Sequence, residues 1–304
     1  MLVNDWVQRS KVETVFLRGG LGNQFFQWIY ALYLQENGSQ VVLDSSFLRK
    51  RHGNQAKGEV ELTEIFSDLY IPLEANFSSF VLVEPLFVRA AHLVSLLRNE
   101  RSRFHIPFLM PKLHYGYYQR SYYFLNKIRS RIRRSLKSNL TSKDFPLFPK
   151  FLVEKSYVAI HVRGGDYLSG SGNLEELGVL SKKYYEDVFE ILNQDEFEDY
   201  EFIVVTDDSK RAIEIFSDNK FDNFNISYLA DISPSSGNSL IALSVMLNAN
   251  VLVCANSSFS ALCGYLNSSD TVFYPKPWFR GPNLRETKPG LDNWRGIDSA
   301  FETI

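Results

Sequence analysis

The feature that most limits what this chain can become lies in its second half. Three apolar runs of strand length, Tyr157–Val162, Glu201–Val205 and Asn250–Cys254, are each followed by a helix-like stretch, Ser181–Leu192, Ser209–Phe216 and Ser258–Leu266. Runs that are apolar throughout belong to strands buried on both faces, and strand–helix alternation is the signature of a parallel sheet covered on both sides. In such a sheet the residues that carry chemistry gather at the carboxyl ends of the strands. The first half opens in the same way. Thr14–Leu17 leads into Arg18-Gly19-Gly20-Leu21-Gly22, after which Phe25, Phe26, Trp28, Ile29, Leu32 and Tyr33 recur at helical spacing. Gln40–Leu43, ending at Asp44, is a second strand; Arg49–Glu61 has loop composition, and Ile71–Phe108 shows no decisive period.

At 304 residues the chain exceeds what one core usually serves, and two domains of about 150 residues are expected. Phe145-Pro-Leu-Phe-Pro149 reads as the linker, which divides an N-terminal lobe, 1–149, from a C-terminal lobe, 150–304. The net charge of −2, from 33 basic and 35 acidic residues, gives no basic excess of the kind that nucleic-acid binding requires. Lys127, Arg129, Arg131, Arg133, Arg134 and Lys137 do cluster locally, with Ile128, Ile132, Leu136 and Leu140 at four-residue intervals, so a basic amphipathic helix is expected over 126–143. Its apolar stripe packs it as a surface helix in the plainer reading; in the sharper one its basic face meets an anionic membrane surface or a lipid-linked substrate. The opening residues lack a signal pattern and no segment has about 18 uninterrupted apolar residues, so a cytoplasmic chain, peripheral at most to the inner membrane face, is expected. Cys254 and Cys263 then read as buried thiols.

Four motifs fall where strands run into loops. In Gly19-Gly20-Leu21-Gly22-Asn23-Gln24 the glycines allow a tight turn, and the helix that follows offers amide groups to an anion; a plain strand-to-helix turn would look the same. In His161-Val162-Arg163-Gly164-Gly165-Asp166-Tyr167 the guanidinium could grip two oxygens of a diphosphate and stabilise charge on a departing group, or brace its loop by pairing with Asp166. Val205-Thr206-Asp207-Asp208 brings paired carboxylates that could hold a metal, accept hydrogen bonds from a nucleoside, or cap the helix that starts at Ser209. Asn256-Ser257-Ser258-Phe259-Ser260 sets small hydroxyl residues at a helix start, where they cap it or face a phosphate.

Together with Gly116-Tyr-Tyr-Gln119, Tyr123-Phe124, Tyr184-Tyr185 and Pro275–Trp278, these motifs resemble, in order and over nearly the whole chain, the family 11 glycosyltransferases, the α1,2-fucosyltransferases. The resemblance implies an α/β, GT-B-like fold of two Rossmann-like lobes with an interdomain donor cleft. It implies GDP-L-fucose as donor, no metal or other cofactor, and inverting transfer to the 2-hydroxyl of a terminal galactose, free or lipid-linked. Carried over by position, Arg163 contacts the β-phosphate and bridging oxygen, His161 and Asp208 the guanine, Ser257 and Ser258 the phosphates, and Asn23 the fucose and acceptor. Gly19, Gly20, Gly22, Asp207, Asn256 and Phe259 complete the donor set. Arg163, Asn23 and Asp166, the nearest candidate base, form the catalytic one.

Two positions depart from the family pattern. Gly164 stands where a second arginine usually follows the first, and Ala242 where an acidic residue is frequent. A metal-dependent transferase, a non-catalytic GDP-sugar-binding protein and transfer of a related GDP-sugar therefore stay open beside the fucosyltransferase reading.

Overall fold

A computed structural model describes residues 12–45, 48, 62–66, 71–74, 112–114, 116, 118, 123–136, 140, 142–165, 174–175, 177–194, 197, 199–229, 238–269, 271–281 and 292–302. The chain forms two compact units, Met1–Ser135 and Leu136–Ile304. The division precedes the proline-rich Phe145–Pro149 segment, because Leu140, Phe145 and Phe148 are buried and the Leu140 carbonyl accepts hydrogen bonds from Ser244 Oγ at 3.2 Å and Asn248 Nδ2 at 3.1 Å. Most of the stretch between Ala56 and Leu113 lies outside the described residues.

The first unit is built on β1 (Val12–Phe16), β2 (Gln40–Asp44), β3 (Leu73–Glu74) and β4 (Lys112–His114), all parallel in the order β3-β2-β1-β4. Between β1 and β2 runs α1 (Leu21–Glu36). Its polar positions are few, and it is buried on most of its circumference; Trp28 and Phe25 pack on Phe66, with ring centroids 4.4 and 6.2 Å away. Gly38, at φ +87°, ends the helix: its amide bonds the Gln35 carbonyl and the Ser39 amide the Leu34 carbonyl, which closes the last turn. A short helix α2 (Leu62–Ile65) follows.

The basic helix, α3 (Tyr123–Ser135), ends earlier than its charge pattern suggests. Ile128 and Ile132 are buried while Arg133 and Arg134 are exposed, and Arg131 bonds Gln35 at 2.9 Å, so the apolar stripe holds the helix to its own unit. Leu136 and Leu140, which extended the stripe in sequence, are buried in the second unit's part of the chain.

The second unit carries β5 (Tyr157–Val162), β6 (Glu201–Thr206), β7 (Ile226–Leu229), β8 (Val251–Val253), β9 (Val272–Lys276) and β10 (Arg295–Asp298). Their order is β10-β9-β8-β5-β6-β7, all parallel. Counted from β5 this is 3-2-1-4-5-6, the doubly wound Rossmann order, and its direction reverses between β5 and β8. The intervening helices are α4 (Lys182–Gln194), α5 (Ser209–Phe216), α6 (Asn238–Leu247) and α7 (Ser258–Leu266). Side-chain alternation then sorts β5: Val158, Ile160 and Val162 join the core made with Tyr184, Tyr185, Val188 and Phe189 of α4, while Tyr157 and His161 turn to the other face, where Tyr157 donates to Val245 O of α6 at 2.8 Å. Cys254 and Cys263 are free, buried thiols, and burial raises the pKa of both. Among the described residues no helix is long and apolar enough to cross a membrane.

Phe189 is the centre of an aromatic cluster, with the Phe202, Phe216, Phe221 and Phe224 rings 4.7 to 5.7 Å away. Phe189→Ala is expected to cost about 3–5 kcal/mol; denaturant unfolding that shows a loss below about 1 kcal/mol would contradict this placement of the core.

Candidate functional site

The strand order brings together, in the second unit, the residues that leave β5, β6 and β8. Arg163 follows β5 directly; its Nη1 donates to Asp207 Oδ2, and the pair keeps side-chain exposures of 25 and 13%. The Gly164 amide donates to the other oxygen of the same carboxylate, Asp207 Oδ1, at 3.0 Å. One carboxylate after β6 thus orients both the guanidinium and the backbone of the loop after β5. Asp207 is a partner of Arg163 in an ion pair; Asp166 and Tyr167, and with them the Arg163–Asp166 pairing, lie outside the described residues.

Asp208 takes the capping role. Its Oδ1 accepts from the Arg211 amide at 3.1 Å at the start of α5, while its own amide donates to Thr206 Oγ1 at 2.9 Å. The two carboxylates also account for Gly164-Gly165. A Cβ on Gly164 would lie 2.7 Å from Asp208 Cβ and Oδ2, and one on Gly165, at φ +32°, 2.5 Å from Asp207 Oδ2. A second arginine after Arg163 has no room here, because Asp208 fills that space. Ala242, the other departure, is fully buried in α6, a place where an unpaired carboxylate would be costly.

Behind Arg163 on the same face of β5 sits His161, fully buried. Its Nδ1 is hydrogen-bonded to Ser260 Oγ, which also accepts from the Ala255 amide at 3.2 Å; its Nε2 has no partner among the described residues. Phe259 stands edge-on to the imidazole at 5.8 Å. Burial, reinforced by the charge of Arg163, lowers the His161 pKa to about 3, so the ring is neutral near pH 7 and unsuited to proton transfer there.

The loop after β8 is held just as firmly. Ser257 caps α7, its Oγ accepting from the Phe259 amide at 3.2 Å. Asn256 Nδ2 donates to the Leu177 and Gly178 carbonyls, both at 2.9 Å, so this side chain braces the neighbouring loop. Gly178, at φ +74°, lies against Phe301, where a Cβ would come within 2.6 Å of the ring. Ser258 is half-buried at the first position of α7.

In the first unit the glycine turn is equally ordered. Gly19, at φ +77°, has no space for a Cβ, which would lie 2.5 Å from Asn23 Nδ2; Gly20 starts α1 without a side-chain cap, and Gly22 is buried in its first turn. Two side-chain amides hold this turn, that of Gln24 from the motif itself and that of Gln27, which no motif included. Gln24 Nε2 donates to Gly19 O at 3.0 Å, and Gln27 accepts from the Arg18 amide at 2.8 Å and donates to Gly116 O at 3.0 Å. The signal for Gln27 was visible: a glutamine set between Phe26 and Trp28 on a largely apolar helix.

Two parallel, helix-covered sheets, each with its glycine or hydroxyl-rich turns at the carboxyl edge, define a GT-B-like α/β protein. An Arabidopsis thaliana FUT1 structure in complex with GDP shares this fold at a TM-score of 0.51, with 11% identity over 90% of this chain and 74% of that one. The chain belongs to glycosyl transferase family 11, whose profile matches residues 89–298. Two relatives from Escherichia coli match almost end to end. One, an alpha-1,2-colitosyltransferase, is 27% identical over 93% of this chain and 97% of its own; the other, the O-antigen biosynthesis glycosyltransferase WbnK, is 26% identical over 91% and 98%.

Two outcomes follow from this geometry. Gly164→Ala forces Asp208 aside and is expected to destabilise by about 1–3 kcal/mol, with activity falling too; an unchanged melting curve would refute the close approach. For His161 the folded pKa lies below the unfolded value near 6.5, so the unfolded chain binds the proton first. The stability tied to the neutral ring is complete above about pH 6.5 and declines toward pH 3, at up to about 1.4 kcal/mol per pH unit. The stability difference between wild type and His161→Asn should narrow accordingly as pH drops, and a pH-independent difference would show that the imidazole is not held neutral.

Proposed function

We propose that the protein transfers L-fucose from GDP-β-L-fucose to the 2-hydroxyl of a terminal β-galactoside, with inversion and without a metal, in the assembly of an O-antigen or similar glycan. The observation that carries this reading is Arg163, set by Asp207 at the carboxyl edge of β5 beside the switch point of the second sheet. A guanidinium fixed before the substrate arrives stabilises a departing diphosphate without reorganising at the moment of bond cleavage, which is the work a metal ion does in other transferases. The Ser257-capped start of α7 lies on the same edge and offers amide groups to phosphate oxygens. His161, Asp208 and Phe259 border it on the nucleoside side, and the glycine turn with Asn23 offers the first unit's contribution to sugar and acceptor.

Family membership supports sugar transfer, and the GDP in the Arabidopsis thaliana structure supports a GDP-linked donor. Both carboxylates that could have held a metal are engaged, Asp207 by Arg163 and the Gly164 amide, and Asp208 by the first turn of α5. Asp166 is the proposed base. The exposed Arg133 and Arg134 of α3 would favour contact with an anionic membrane surface that carries a lipid-linked acceptor.

A second donor has its own support. The relative named for colitosyl transfer matches nearly the full chain, so a GDP-linked colitosyl donor is the competing substrate. Incubation with each donor and a panel of galactosides, with and without chelator, followed by linkage analysis, separates the two. An α1,2-fucosylated product that forms in chelator is the expected result; turnover only of the colitosyl donor, or loss of activity in chelator, would overturn the corresponding part. Arg163→Ala should lower turnover about a hundredfold or more, the size of a lost preorganised contact, and near-normal rates in that variant would remove Arg163 from the chemistry.

A further inference from the structure

Gln27 is fully buried in a helix whose neighbouring positions are apolar. A buried carboxamide is costly unless both its ends are matched, and here they are matched by two loops rather than by one. Its oxygen accepts from the Arg18 amide, in the loop after β1, and its nitrogen donates to the Gly116 carbonyl, in the loop after β4. β1 and β4 are neighbours, and the strand order of the first sheet reverses between them. Gln27 therefore spans the switch point of the first unit, the place where open α/β sheets bind ligands.

A second contact fixes the same loop to the same helix. Tyr118 stacks on Tyr30, one turn beyond Gln27, with centroids 3.9 Å apart and planes 6° from parallel. Tyr118 holds this position with φ +51°, a left-handed conformation that residues with a Cβ seldom adopt and that tends to mark functional segments. On the other side of the switch point, Gln24 holds the Gly19 carbonyl of the turn that carries Asn23.

We propose that Gln27 is a positioning residue for sugar transfer: it ties the glycine turn to the Gly116–Tyr118 segment, so that Asn23 and the turn's amides keep one fixed spacing toward the reacting sugar. The inference rests on the transferase reading above. Gln27 does not touch substrate; it acts through the loops it joins.

Two variants and two readouts test this. Gln27→Met removes both hydrogen bonds at nearly constant side-chain length. Gln27→Glu restores them only when protonated, its acid hydroxyl donating to Gly116 O and its other oxygen accepting from the Arg18 amide. Gln27→Met is expected to lower kcat at least about tenfold, since small displacements of positioning groups cost that much or more, while GDP affinity, set in the second unit, is kept. Gln27→Glu should regain kcat relative to wild type as pH falls from 8 toward 5.5. Ile29→Val, a packing change on the same helix, controls for general loosening and should keep kcat. Amide hydrogen exchange reads the tether without turnover: exchange at 18–23 and at Gly116 should quicken in Gln27→Met while the second unit stays as in wild type.

Unchanged exchange in those loops, wild-type kcat in Gln27→Met, a parallel loss of GDP affinity, or an equal fall in kcat for Ile29→Val would each overturn the proposal. A wild-type protein that turns over no GDP-sugar would instead sink the transferase reading, and the exchange experiment would then decide the tether alone.

Discussion

The second unit's edge depends on one carboxylate. Asp207 binds the Arg163 guanidinium with one oxygen and the Gly164 amide with the other, so the loops after β5 and β6 are locked together at the point where the chain leaves the sheet. The pair is partly exposed, and its net worth to stability is modest, because desolvation offsets much of the attraction. Its worth is geometric: an arginine side chain has many rotamers, and a partly buried ion pair selects one of them before any ligand arrives. The same carboxylate dictates sequence around it. With Asp207 and Asp208 pressed against the loop, both positions after Arg163 must be glycine. In this chain Gly164 and Gly165 leave the room that the two aspartates occupy.

Each unit repeats one device at its switch point. In the first, Gln27 of α1 reaches the loops after β1 and β4. In the second, Ser260 of α7 meets His161 at the end of β5 and the Ala255 amide just past β8. In both a short buried polar group on the crossing helix joins two strands that neighbour each other in space but not in sequence. Parallel strands have no hairpin to fix their ends, so their carboxyl edges would splay without such ties. A buried polar tie is exacting, since removing one partner strands the other. This makes the edge rigid where loops alone would let it move.

Much of the fold was legible because parallel strands buried on both faces have a plain signature. Tyr157–Val162, Ser209–Phe216 and Ser258–Leu266 were bounded as the structure has them, the last two by an aspartate and a serine that cap their helices. The basic helix was overextended because Leu136 and Leu140 kept the four-residue period while serving a different unit; period alone does not say which core a residue enters. Of the site, Arg163 and the aspartates were legible as residues but not as a pairing. Asp207 is forty-four residues from Arg163, and only the β5–β6 register, which brings Val162 beside Thr206, sets the two side by side. Gln27 was missed for the same reason: its partners, nine and eighty-nine residues away, exist only once the sheet is formed.

The neutrality of His161 completes the electrostatic argument. An imidazolium beneath Arg163 would add a second positive charge on the same face of β5, which would strain the ion pair's surroundings and require a buried counter-charge. Burial removes that possibility, holding the ring uncharged beside the guanidinium. A neutral ring can only donate or accept one hydrogen bond at Nε2, and which it does follows from how Ser260 spends its hydroxyl proton. Ser260 Oγ accepts from the Ala255 amide and is hydrogen-bonded to the imidazole Nδ1, so it ties the ring to the loop after β8. The second unit's edge therefore carries a fixed cation backed by a buried, uncharged ring rather than by a second charge.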